Sequence, residues 1–253
     1  MIGISIAGFD PSGGAGIITD MKTFTSLGIH GTCVITALTA QNPSKVFSLQ
    51  SIATDYIEEQ IDSIFDEYGE YISYGKTGML YSPEIVKTVA KKIIEYNLKI
   101  IVDPVMVASA GGNLSQKEIA TALKKYLLPY SLLATPNIHE AELLSGIKIA
   151  TQDDAIDAAE KIGKICDVVI TGGHLEGINT IVIGEEINIL KRDLMKTKNT
   201  HGSGCTFSAA IAGFMIKGED METAIKKSFD YVEIAIENGR YGTLNTGSKG
   251  MGH

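Results

Sequence analysis

The 253-residue chain contains no uninterrupted apolar run approaching the ~18 residues that a membrane span requires, so no segment reads as crossing a bilayer. Met1 leads straight into a strand-like Ile2–Ala7 with neither a basic n-region nor an apolar h-region, and a cytoplasmic location is expected. Cysteine is scarce. Cys33, Cys166 and Cys205 are odd in number, far apart and without CxxC spacing, which points to a reducing compartment and away from a zinc site. Positive charge is in deficit: 22 Lys and Arg stand against 30 Asp and Glu, a net charge of −8. That balance argues against binding nucleic acid, whose backbone needs clustered cations, yet one local electropositive pocket still suffices for a nucleotide. His139, His174 and His201 lack HExxH-type spacing, so a metal held by imidazoles is not expected, and His30 reads as structural. There is no internal repeat, low-complexity tract or linker, and one domain is expected over 1–253.

What is present is ordinary globular material, 44% hydrophobic and 21% charged, in alternating strand and helix patterns. Strands are expected at 2–7, 32–39, 99–102, 131–134 and 167–171, with a hairpin at 178–183 and 187–190 turning at Gly184-Glu185-Glu186. Helices are expected at 15–27, 56–68, 82–96, 115–127, 137–144, 151–165, 203–216 and 221–238. Such alternation implies an α/β fold of three α/β/α layers, with a mostly parallel central sheet and helices on both faces. Ligands of these sheets bind beyond the carboxyl ends of the strands. The unusual residues are read there, in loops at Gly8–Gly16, Ala40–Asn42, Gly75–Met79, Asp103–Met106, Thr135–Asn137 and Thr171–His174.

The most informative stretch is Asn199–Thr206, a Gly-x-Gly turn opening an apolar helix of small residues. The amides of Gly202, Ser203, Gly204 and Cys205 at such a helix start form an anion site, and the glycines let a phosphate approach the backbone. Cys205 lies in the same place, where the helix field is expected to favour a thiolate. An anion cradle holding an ionisable group suggests phosphoryl transfer. The Gly8–Gly16 loop meets neither the GxxxxGK[ST] pattern nor the dinucleotide fingerprint, and reads as a glycine-lined wall against a flat substrate. Asp103 at a strand end and Glu140 at a helix start bring carboxylates to the same edge, suited to a Mg²⁺ that also takes waters and phosphate oxygens. Met106–Leu114, with Gly111-Gly112 as hinge, reads as a flap closing over the reaction.

Taken together, Asp10-Pro11-Ser12-Gly13-Gly14-Ala15-Gly16, Asp20-Met21-Lys22-Thr23-Phe24, Val34–Asn42, Thr135-Pro136-Asn137 with Glu140, Gly172-Gly173-His174 and the His201–Thr206 turn resemble the hydroxymethylpyrimidine/phosphomethylpyrimidine kinases of thiamin biosynthesis, in the ribokinase-like superfamily. The resemblance runs over essentially the whole chain and implies ATP-dependent phosphorylation of the aminopyrimidine alcohol and then of its monophosphate, with Mg²⁺, by a homodimer. It implies that Asp20 and Gln41 hydrogen-bond the pyrimidine while Gly8, Met79 and Val105 pack on its ring. Cys205 would stand where most ribokinase-like enzymes place a general-base Asp. The amides of Gly202, Ser203, Gly204 and Cys205 would stabilise the transferring phosphoryl group. Asn137, Thr171, Gly173 and His201 would serve the nucleotide, and Asp103 and Glu140 the metal. A pyridoxal or pyridoxine kinase, or an enzyme of both specificities, is the alternative; the flap here carries no cysteine of the kind that assists pyridoxal in the dual-specificity relatives.

Overall fold

The structure, a computed structural model, describes residues 1–106, 116–173, 175, 177–193 and 195–247. The expected flap lies outside these residues except for Met106, and so does His174. In chain order the elements are β1 (Ile2–Phe9), α1 (Gly16–Ser26), β2 (His30–Asn42), β3 (Lys45–Ser51), α2 (Thr54–Tyr68), β4 (Ile72–Thr77), α3 (Pro83–Glu95), β5 (Lys99–Val102), α4 (Gln116–Ala122), β6 (Leu133–Ala134), α5 (Ile138–Ser145), α6 (Gln152–Gly163), β7 (Asp167–Ile170), β8 (Ile178–Ile183), β9 (Glu186–Lys191), α7 (Ser203–Ile216) and α8 (Met221–Glu237).

The nine strands form one sheet in the order β3-β2-β1-β4-β5-β6-β7-β8-β9. The strands from β2 to β7 pair in parallel, and the added strands at both edges, β3, β8 and β9, pair antiparallel. Successive residues of a strand face opposite ways, and the sheet has a core on each face. Ile100, Val102, Ala134, Val168 and Ile170 enter one apolar cluster with side chains of α2, α3, α5 and α6. Their neighbours Ile101, Leu133 and Val169 enter a second cluster with α1, α7 and α8. The strands between are apolar on both sides, which is why they read as continuous hydrophobic runs rather than alternating ones.

Two elements depart from the sequence expectation. Gly75-Lys76-Thr77, expected in a loop, is the end of β4; a Cβ at Gly75 would lie 2.6 Å from the Ile4 carbonyl oxygen, so the glycine is there for strand packing rather than for a turn. Ala40-Gln41-Asn42, also expected in a loop, continues β2 outward to pair with β3, a strand not anticipated because its residues are largely solvent-exposed and lack a buried face.

Phe24 of α1 shows how the second core is built. Its side chain is fully buried, and Cβ atoms added at Gly3, Gly31 or Gly213 would come within 3.2 to 3.8 Å of its ring. Glycines on two strands and on α7 thus make the socket that lets α1 sit close to the sheet. Phe24→Ala is expected to lower unfolding free energy by ~3–5 kcal/mol, the usual cost of emptying such a site; urea denaturation of the two proteins measures it.

Candidate functional site

On the sheet face under α1 and α7, Cys33, Ser5 and Lys76 are lateral neighbours across β2, β1 and β4. Asp20 descends onto this row from α1. Its Oδ2 accepts from the Ser5 hydroxyl at 2.6 Å, and its two oxygens lie 3.1 and 3.2 Å from Lys76 Nζ. Lys76 is fully buried and lies 3.8 Å from Asp103 Oδ2, just past the end of β5. Burial works against the ammonium, but Asp20, Cys205 and Asp103 outweigh it and raise its pKa well above the ordinary value. Lys76 is therefore a fixed cation beneath the site. Sequence reasoning missed it, although a lysine between Gly75 and Gly78 in an apolar strand is the signal that marks it. Asp20, expected to bond the substrate, instead has no exposed surface and gives its oxygens to Ser5 and Lys76.

Above this cluster α7 begins. Its N-cap is Gly202, in the left-handed region at φ +89°, with no side-chain cap. A Cβ on Gly202 would lie 1.8 Å from the Gly14 carbonyl oxygen, so glycine is required both for the conformation and for the contact with the Gly8–Gly16 loop. The Ser203 amide donates to Thr200 O at 3.1 Å, which removes it from the expected cradle. Gly204 and Cys205 lie in the first turn of α7, whose amides have no carbonyl a turn earlier in the helix to bond. Ser208, one turn further, directs its hydroxyl to Asp103 Oδ2 at 3.5 Å.

Two cavities meet at this helix start. One, of about 220 Å³, is lined by Gly8, Gln41, Met79, Val105, His201 and Cys205, with Asp10 and Val46 also in its wall. The other, of about 500 Å³, is lined by Thr171, Gly173, Ser203, Gly204, Arg192 and the apolar side chains of Phe207, Phe229, Val232 and Ile236. The structure thus gathers Gly8, Gln41, Met79 and Val105, expected at a heterocycle, into one space without Asp20, and Thr171 and Gly173, expected at a nucleotide, into its neighbour. His201, also expected at the nucleotide, lines the first cavity instead. Asn137 stands apart from both: it caps α5, its side chain accepting from the Glu140 amide at 3.0 Å.

Cys205 is half-buried at the junction, and its thiol is not a thiolate. Burial pushes its pKa up to about 12; Lys76 opposes this, while Asp103 and Asp20 add to it. The expected effect of the helix field is outweighed by burial first, with the carboxylates of Asp103 and Asp20 adding to it. Asp103 and Glu140 are both buried and both raised, Glu140 to about 8, by burial first and then by Asp103. Glu140 is the return partner of the Asn137 capping box, its Oε2 accepting the Asn137 amide at 2.9 Å. Among the described residues no group of three or more His, Cys, Asp or Glu is gathered for a metal, and no helix is long and apolar enough to cross a membrane.

The family model described as phosphomethylpyrimidine kinase matches residues 10–251. The chain is 38% identical over 252 residues to hydroxymethylpyrimidine/phosphomethylpyrimidine kinase of Bacillus subtilis, covering 97% of this chain and 91% of that protein. It is 37% identical to a thiamine biosynthesis bifunctional protein of Geobacter sulfurreducens over 92% of its own length but 48% of that protein, so it spans about half of that relative. A structure of pyridoxal kinase from Staphylococcus aureus in complex with AMP-PCP and pyridoxal superposes with a TM-score of 0.89 at 29% identity, covering 98% of this chain and 94% of that one.

Two measurements test these electrostatics. Because the folded pKa of Glu140 lies above its ordinary 4.5, its contribution to stability is full below about pH 4.5 and is lost as pH rises toward about 8. Glu140→Gln, which keeps a capping partner, should flatten the fall of Tm over that window; an unchanged slope contradicts the assignment. Alkylation of Cys205 by iodoacetamide, followed by mass spectrometry, should be far slower at pH 7 than for a free cysteine (ordinary pKa ~8.5) and still rising at pH 10. A plateau near neutral pH contradicts the raised thiol.

Proposed function

The chain belongs to the phosphomethylpyrimidine kinase family, and on that premise we propose that it transfers the terminal phosphoryl group of ATP to the hydroxymethyl oxygen of hydroxymethylpyrimidine, and then to the phosphate of the resulting monoester. We extend the reading to a single ribokinase-like domain acting as a cytoplasmic homodimer. The observation that carries the activity is the uncapped start of α7 between the two cavities, with Cys205 on one side and Ser203 and Gly204 on the other.

The smaller cavity suits a flat ring. Gly8 forms one wall, where a Cβ would meet the Met79 methyl at 2.3 Å, and Met79 and Val105 add apolar surface beside the polar end of Gln41. The larger cavity has apolar side chains for a base and Arg192 at its rim, held by Asp230 at 2.7 Å and Glu233 at 3.3 Å. In the transfer the acceptor oxygen bonds to phosphorus as the bond to the leaving diphosphate breaks, and the equatorial oxygens gather charge. The Gly204 and Cys205 amides are preorganised where that charge develops, and one such donor is typically worth ~3 kcal/mol. Cys205 is protonated in the free protein, so it takes the hydroxymethyl proton only as the thiolate, after its own proton has gone to solvent. The fixed charge of Lys76 favours that thiolate, and in a loose transition state the base step carries little weight.

The pair of Asp103 and Glu140 fits a hard divalent cation. They are oxygen donors without imidazole or thiolate, Asp103 raises the pKa of Glu140 in the free protein, and with only two carboxylates they leave the remaining ligands to water and phosphate. When bound there, Mg²⁺ neutralises charge on the phosphates.

A coupled assay of ADP release decides the reading. Release should require the pyrimidine alcohol or its monophosphate and exceed release with pyridoxal by at least tenfold in kcat/KM, taking about 1.4 kcal/mol as the least discrimination a different ring should produce. Equal turnover of pyridoxal overturns the preference, and release indifferent to any acceptor overturns the kinase assignment.

A further inference from the structure

Asn199 opens the stretch that marks the anion site, yet it lines neither cavity. Its side chain turns instead to the segment just past α8. Nδ2 donates to Gly239 O at 2.9 Å, and Oδ1 accepts the Gly242 amide at 2.9 Å. A carbonyl at one end and an N–H at the other leave this side-chain amide a single orientation. Between the two contacts the chain makes a two-residue turn. Arg240 and Thr243 exchange both backbone bonds at 3.0 Å, around Tyr241 at φ +57° and Gly242 at φ +82°. Tyr241 is 92% exposed, so packing does not hold it in the left-handed region, where a bulky residue is strained. Bonds from outside the turn hold it there. Besides those of Asn199, the Asn245 amide donates to Ala235 O at 3.0 Å and the Tyr231 hydroxyl to Thr246 O at 3.2 Å, fastening the segment to α8.

The turn lies against one side of the anion stretch: Thr243 bridges to His201 in parallel, and the His201 amide donates to Gly242 O at 3.3 Å. The Gly8–Gly16 loop holds the other side. Asp10 Oδ1 accepts the Ser12 amide at 2.8 Å, and its Oδ2 accepts the Ala15 amide at 2.9 Å and lies 3.0 Å from His201 Nε2. A Cβ on Gly14 would lie 2.5 Å from both His201 and Thr243, so loop, anion stretch and turn meet at one point. Residues 199–202 are gripped from two sides, and Gly204 and Cys205 follow directly. We propose that Asn199 is a positioning residue for phosphoryl transfer: by clipping the 239–243 turn to the anion stretch, it sets where the Gly204 and Cys205 amides point. This deepens the kinase reading and rests on it. Asn199 touches no reacting atom. The amides it aims act on charge that develops only in the transition state, so their placement governs kcat rather than binding.

Asn199→Ala severs both side-chain bonds and leaves the cavity walls as they are. With the pyrimidine alcohol, kcat should fall by at least about tenfold, since a 1 Å misplacement can cost about a hundredfold. KM for the alcohol and for ATP should each stay within about threefold, as for an interaction made only in the transition state. Two ligands separate this from a general loss of structure. Calorimetric titration should find AMP-PCP bound once per chain with unaltered affinity. ADP with aluminium fluoride and the alcohol, which imitates the transition state, should weaken by about the factor lost from kcat. An unchanged kcat overturns the proposal, and so do AMP-PCP and the imitation weakening alike. Fewer AMP-PCP sites, in proportion to the lost kcat, would mark Asn199 as merely structural and overturn it too. Should Asn199→Ala fail to fold, Gly239→Ala carries the test, because its Cβ would lie 2.7 Å from both Asn199 Cβ and Thr243 O and press the turn away. There too an intact kcat overturns the proposal. A wild type that phosphorylates no pyrimidine sinks the kinase reading itself, whereas an active wild type matched by its variants sinks only the role of Asn199.

Discussion

The ammonium of Lys76 is the point on which the site depends. It is buried among Asp20, Asp103 and Cys205, and it ties α1, β4 and the end of β5 beneath the start of α7. Taking these groups out of water is costly, and a buried ion pair adds little to net stability compared with apolar residues of the same volume. Its effect is on placement. Asp20 and Asp103 have few alternatives to Lys76 in a dry interior, so the helix and strand ends they belong to are held in one arrangement. The charge count is also unbalanced. Asp20, Asp103 and Glu140 exceed the single cation; burial first, and then a neighbouring carboxylate, raises the pKa values of Asp103 and Glu140.

The anion side of the site is made by backbone. Gly202 permits the left-handed cap of α7 and the approach to the carbonyl of Gly14, and Gly16 packs so close to Gly8 that a Cβ there would lie 2.3 Å from the Gly8 carbonyl oxygen. Amides need no proton and cannot titrate, so this face works independently of pH, whereas the carboxylate face does not. Cys205 lies where the two meet, and burial there, more than either face, keeps its thiol protonated.

Much of this was legible in the sequence because it is local. The helices α2, α3, α5, α6, α7 and α8 announce themselves by caps and periodicity, and the Gly-x-Gly turn before α7 marks an anion site by itself. Gly8, Gln41, Met79, Val105 and Cys205, scattered over the chain, do line one cavity. What could not be read depends on partners distant in sequence. Lys76 looks like a loop lysine until Asp20 and Asp103 are brought to it. The Cys205 thiol is raised first by burial under elements distant in sequence, which the helix alone does not reveal. The strand β3 has no buried face to give it a pattern, and Asp10 is hidden because its importance lies in how many donors converge on it.

The hairpin of β2 and β3 projects from the outer edge of the sheet, beyond the parallel strands, and supplies Gln41 and Val46 to the ring cavity. Nothing in the phosphate end is carried on it. An edge ribbon tolerates substitution and changes of length better than an interior strand does. Divergence of acceptor choice within this architecture therefore has a cheap route: the appended ribbon can be rewritten while the transfer apparatus is inherited unaltered.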